Sequence, residues 1–153
     1  MTITQLKQRM DAQTVLLAKQ RMMVDVDAIP ISREGIILFY VLFPTDTIVN
    51  SNTVIKALLT TNPAYKTREG VGPRMLVSQA ARLYGQPTLT YNLANESRET
   101  ATFAGQVSAQ IHFGVKSGET SMAGVYADPK KEYNQTQRYH DSAFISCVLV
   151  GVL

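Results

Sequence analysis

Gly70-Val71-Gly72-Pro73-Arg74-Met75-Leu76-Val77-Ser78-Gln79-Ala80-Ala81-Arg82-Leu83-Tyr84-Gly85-Gln86-Pro87 reads as a glycine-punctuated entry, one short helix and a Gly-x-Pro exit. Leu76, Ala80, Leu83 and Tyr84 fall at i, i+4, i+7 and i+8, which places them on one helical face and leaves Arg74, Gln79 and Arg82 to water. Gly85 suits the left-handed residue that ends a helix, and Pro87 prevents continuation. So short an amphipathic helix requires a sheet beneath it. The signal is architectural, and no catalytic motif accompanies it.

Working outward, Thr2-Ile3-Thr4-Gln5 matches a capping box opening a helix from Ile3 to about Met10, with apolar Ile3, Leu6 and Met10. Shifted by 74 residues, these three become Val77, Ala80 and Tyr84 of the central helix, and Met1 and Gln5 fall on Met75 and Gln79. The recurrence suggests two related halves. The second departs from the first where Leu76 replaces the capping Thr2, so that Gly72-Pro73 provides the start. Between the helices, Thr14 to Ala18 reads as a short strand and Arg21 to Ile31 as a longer one, with Asp25 and Asp27 on one face. Ile36 to Phe43 is a β-branched and aromatic run expected of a central strand, and Asn52 can cap a second helix over Thr53 to Thr60. Tyr65 to Thr67 leads as a brief strand into the glycine-rich entry. After Pro87, Thr88–Tyr91, Arg98–Phe103, Val107–Phe113, Ala123–Tyr126 and Ser142–Leu153 read as strands between turn signals.

These elements give the expected fold class, α+β, with each half a short helical layer packed on antiparallel β-sheet. The expected organisation is a single domain over 1–153, with one pseudo-repeat over 1–65 and the other over 66–153. A chain of 153 residues, 45% of them apolar and 18% charged, suffices for a globular core without metals or disulfides. The net charge is +3, and residues 1–76 carry 9 Lys/Arg against 6 Asp/Glu while 77–153 carry 6 against 6. These basic residues are scattered rather than striped among aromatics, which argues against a nucleic-acid partner. The sole cysteine, Cys147, lies in an apolar run and is expected to be a buried, inert thiol. The apolar C-terminal run of about ten residues is well short of a membrane-spanning helix. Met1-Thr2-Ile3-Thr4 already reads as a helix start, so either the protein is cytosolic or a leader has been removed.

Four phrases carry a resemblance: Asp25-Val26-Asp27-Ala28-Ile29, Asn62-Pro63-Ala64-Tyr65-Lys66-Thr67-Arg68-Glu69-Gly70-Val71-Gly72-Pro73, Tyr91-Asn92-Leu93-Ala94-Asn95-Glu96-Ser97-Arg98-Glu99 and Ala123-Gly124-Val125-Tyr126. Together they resemble an uncharacterised group of cyanobacterial-type secreted or lipoprotein domains, in which a short strand and a Gly-Met turn precede the first helix. The resemblance implies a leader and an extracytoplasmic location, periplasmic or secreted. More distantly, Tyr84-Gly85-Gln86-Pro87 after its helix is similar to small outer-membrane lipoproteins of the SmpA/OmlA type. A tandem pair of such units resembles β-lactamase inhibitory protein. Those likenesses imply a scaffold that binds other proteins, and no contact residue carries over.

Candidate binding residues fall in two stretches. Tyr91, Asn92, Asn95, Glu96 and Arg98 lie in the densest polar cluster of the chain, with Ser97 and Glu99, where an arginine and amides can meet a partner. Tyr133, Arg138 and Tyr139 lie in a loop from Asp128 to Asp141 and, with Tyr126, Lys130 and Lys131, are of the types that binding hot spots favour. Both sets also read as ordinary turn and loop residues. Asp25 and Asp27 have no third oxygen ligand beside them for a cation. His112 and His140 lack a Cys, His or Glu at metal spacing, and His140-Asp141 lacks a nucleophile motif. Gly70-Val71-Gly72 is short of a phosphate-binding fingerprint. The expectation is a non-enzymatic protein-binding or envelope-scaffold module with no catalytic residue, metal or cofactor. Two alternatives stand beside it: a hydrolase or small-ligand-binding protein using Asp25, Asp27 and a histidine, and a structural domain whose partner is a second copy of itself.

Overall fold

In the computed structural model, which describes residues 1–96, 98–106, 108–118 and 121–151, strands and bridges hold 45% of the described residues and helices 12%. That balance overturns the α+β expectation and, with it, the likeness to β-lactamase inhibitory protein: the protein is mostly antiparallel β-sheet. The only α-helices among the described residues are α1 (Ile3–Arg9) and α2 (Val77–Tyr84), of seven and eight residues. Two turns of helix bury one narrow stripe each, too little to form a layer over a sheet. The strands are β1 (Thr14–Leu16), β2 (Gln20–Met23), β3 (Val26–Arg33), β4 (Ile36–Pro44), β5 (Ala57–Thr60), β6 (Pro87–Asn92), β7 (Arg98–Phe103), β8 (Ile111–Ser117), β9 (Tyr133–Thr136) and β10 (Ala143–Gly151). Val107, Val152 and Leu153, which the sequence reading placed in strands, lie outside the described residues, as do Ser97 and the side chain of Asn95.

The chain divides into two compact units, one of residues 1–62 with 150–153 and the other of residues 63–149. In the first, β3 is the hub: β1 and β2 both pair with it, β4 lies on its other side and β5 beyond β4, all antiparallel. The break between β1 and β2 falls opposite Ile29 and Pro30, where the proline has no N–H to donate and its carbonyl accepts from Leu17 at 2.9 Å. Ile3 and Leu6 of α1 pack into a core with Ile29, Ile31, Val41 and Phe43. The capping box forms as expected, Gln5 N–H to Thr2 Oγ1 at 3.2 Å and Thr2 N–H to Gln5 Oε1 at 2.9 Å.

Two expected elements of this unit are corrected. The strand read from Arg21 to Ile31 is a hairpin, with Val24 and Asp25 in its turn. The helix read from Thr53 to Thr60 is instead a bridge from Val54 to Thr2 followed by β5. Thr53, Val54, Ile55 and Thr60 are β-branched and lose side-chain freedom in a helix, and alternation puts Ala57 and Leu59 inward.

In the second unit the strand order is β10-β8-β7-β6-β9. Burial alternates along β6 and β7, with Leu89, Tyr91, Ala101 and Phe103 inward. Val77, Ala80 and Tyr84 of α2 close this core with Phe103 and Phe113, whose rings meet edge to face at 5.5 Å. Leu83, expected inward, is exposed, and so is Leu76 in part. The buried seam runs through Val77 instead. Leu76 N–H donates to Gln79 Oε1 at 3.3 Å, the counterpart 74 residues on of the bond from Thr2 to Gln5. Gly85 has φ +81° as expected, but its ψ of −168° lies in a mirror-extended region that only glycine occupies readily, not in the left-handed helical one. No strand forms over Tyr65–Thr67, and Ala123–Tyr126 contributes a single bridge, Gly124 to Tyr139. The expected loop from Asp128 to Asp141 contains β9. Cys147 is half-buried in β10.

Candidate recognition face

Cross-strand pairing organises the candidate residues. Register places Tyr91 between Asn134 of β9 and Glu99 of β7, and Asn92 between Tyr133 and Arg98. Directly paired residues share a face, and successive residues alternate between faces. Asn134, Tyr91 and Glu99 therefore form an inward row, and Tyr133, Asn92 and Arg98 an outward row immediately beside it.

The inward row is a set of pegs for the segment from Ser121 to Lys131. Glu99, buried, accepts hydrogen bonds from the Ala123 amide at 2.5 Å, the Gly124 amide at 2.7 Å and the Tyr126 hydroxyl at 2.6 Å. Tyr91 donates to the Pro129 carbonyl at 2.7 Å and accepts from Asn134 Nδ2 at 2.8 Å, and the same amide group donates to the Asp128 carbonyl at 2.7 Å. The Tyr126 ring stands edge-on to Tyr91, with centroids 4.6 Å apart. Burial, and then the Glu99 carboxylate, push the Tyr126 hydroxyl far above the ordinary tyrosine range, so it acts as a permanent donor.

The outward row faces water. Tyr133 is 56% exposed, Asn92 and Arg98 partly so. Asn92 caps the 3-10 turn Leu93–Asn95 by accepting from the Ala94 amide at 2.8 Å. Glu96 follows with φ +55° and reaches Arg98 at 3.5 Å. Tyr133, Asn92, Glu96 and Arg98 are thus brought to one end of the β9-β6-β7 ladder. Tyr91 lies beneath them. Arg138 and Tyr139 follow the opposite end of β9, where Thr136 pairs with Leu89; Tyr139 packs on the core and Arg138 is exposed.

By residue type Glu99 belongs with the surface cluster, yet it is buried and its role is inward. Parity within β7 carries the signal, because Glu99 shares its phase with Ala101 and Phe103.

The other constellations separate. Asp25 is a turn residue, whereas Asp27 is buried and held by Lys19 Nζ at 2.8 Å and Arg21 Nε at 2.9 Å. The Lys19 hydrogen bond is the chief cause of a carboxyl pKa below the ordinary range, and Arg21 adds to it. Tyr84 donates to Glu69 at 2.5 Å, fastening the entry loop to α2; this bond lowers the Glu69 pKa, while burial raises that of Tyr84. His112 is half-buried in β8 and His140 exposed. Among the described residues no three His, Cys, Asp or Glu side chains gather as a metal site would require, and no helix is long and apolar enough to cross a membrane. Comparison of the chain with protein families, curated proteins and solved structures gives no match.

Proposed function

We propose that this protein is a non-enzymatic, extracytoplasmic protein-binding or envelope-scaffold module, which meets its partner with the outward end of β9, β6 and β7. The observation that carries the reading is the row Tyr133, Asn92, Arg98, directly paired across three strands and backed by the inward row Asn134, Tyr91, Glu99. An exposed tyrosine and an arginine on a backbone already fixed from behind present contact area with little ordering cost on binding. The extracytoplasmic location is supported by the resemblance to secreted and lipoprotein domains alone. Among the described residues, the rival readings, a hydrolase using Asp25, Asp27 and a histidine, and a self-associating structural domain, gain no comparable cluster.

Affinity capture from envelope extracts tests this, comparing wild type with Tyr133→Ala and Arg98→Ala. Partner recovery should fall severalfold in both variants, since truncating a hot-spot residue costs about 1–2 kcal/mol or more. Undiminished recovery in both means that the binding surface lies elsewhere. Metal-dependent hydrolysis by the purified protein that disappears in Asp25→Asn would replace the reading altogether.

A further inference from the structure

Charge on the four strands β6 to β9 is sorted by face. Their only acidic residue is Glu99, and it points inward. The outward positions carry Arg98, Lys116 and His112, with Tyr133 and the Thr90–Thr100 hydroxyl pair, 3.0 Å apart, among them. The pairing of Thr100 with Gly114 sets β8 against β7, and Lys116 stands two residues further along the outward face, on the side toward Arg98. Neighbouring strands are about 4.8 Å apart, so the two cations are close, and like charges across adjacent strands oppose one another. Glu96 reaches Arg98 and offsets part of that repulsion.

Resting on the binding-module reading above, we infer that the segment of the partner protein that lies on this face is acidic. A carboxylate-bearing strand or loop would meet Arg98 and Lys116 side by side, stack against Tyr133 and hydrogen-bond to Asn92 and the threonines. Charge complementarity of this kind sets partner choice and association rate, and it weakens with salt.

Fluorescence anisotropy with a short labelled peptide of alternating Glu and Ser tests the inference, with the matching Lys and Ser peptide and dextran sulfate as the other two probes. The acidic peptide should bind and the basic one should not, and binding should weaken as salt is raised. Arg98→Gln and Lys116→Gln should each lower affinity about two- to fivefold, as exposed pairs do. Lys7→Gln, the same charge change on α1, should leave it unaltered; Lys7 is exposed and lies in the first unit. Absence of acidic-peptide binding overturns the inference, and so does an equal loss with Lys7→Gln, which would reduce the effect to net charge. Binding of dextran sulfate that depends on Arg98 and Lys116, without binding of the peptide, assigns the face to a non-peptide polyanion and overturns it too. The module reading is judged separately by the Tyr133→Ala capture experiment, so the two can fail independently.

Discussion

Glu99 and Asp27 are both buried carboxylates, yet they are satisfied by different chemistry. Asp27 is met by two cations, and Glu99 by two backbone amides and a tyrosine hydroxyl. Glutamine at position 99 keeps the shape but offers one acceptor oxygen and an amide group where only donors wait. Glu99→Gln should therefore destabilise by about 2 kcal/mol in urea unfolding, the cost of leaving a buried donor unmet. Amide exchange should accelerate most at Ala123 and Gly124, and an unchanged rate at both would show that the carboxylate does not hold them. For Asp27 the sign follows from its lowered folded-state pKa. The contribution is complete above the unfolded value of about 3.9 and is lost as pH falls through the lower folded value. Asp27→Asn should flatten that acidic limb in a series of urea midpoints taken down to about pH 2. A limb of wild-type steepness in the variant would assign it to other carboxylates.

Strands were legible where burial phase and residue type agreed. Ile36 to Phe43 is read as β4 because β-branched and aromatic residues fill it, and Arg98 to Phe103 as β7 because it alternates. Val54, Leu58 and Leu59 satisfy helical spacing and also sit in the bridge and strand that form, and a short apolar run does not separate the two. The hairpin at Val24-Asp25 was missed because its turn carries no glycine or proline. Of the candidate site, the sequence held the residue types but not the cross-strand rows, which exist only once register is set. Pairing also explains Gly114 in β8: a β-carbon there would lie 2.5 Å from Cys147 Sγ and 3.1 Å from Ser146 Oγ. Gly114→Ala should cost about 1–3 kcal/mol by overpacking. Adding Cys147→Ala should recover much of that loss in denaturant unfolding, and a double mutant no more stable than Gly114→Ala would exclude the thiol as the obstacle. Burial also raises the pKa of that thiol, so in the wild type it should label slowly.

At the scale of the molecule, the two units exchange chain at Asn62–Pro63 and again at Leu149–Val150. The first unit includes residues 150–153, and Gly151, at φ +98°, passes so close to the Lys56 carbonyl that no side chain fits there. Ending the chain after Leu149 should thus weaken a unit whose other residues are all numbered below 63. Amide exchange in β5 should rise well above that in β6 and β7, whereas equal protection in both would show that the last residues are dispensable to the first unit.

The same arrangement sets an order on biosynthesis. A ribosome delivers the chain from its N-terminus, and domains ordinarily fold as they emerge. Here residues 1–62 leave the exit tunnel long before the residues that complete their unit. Unless another chain covers the gap in the interval, the first unit waits, incompletely closed, while all of residues 63–149 are made, so that synthesis of the second unit, rather than local sequence, times its maturation.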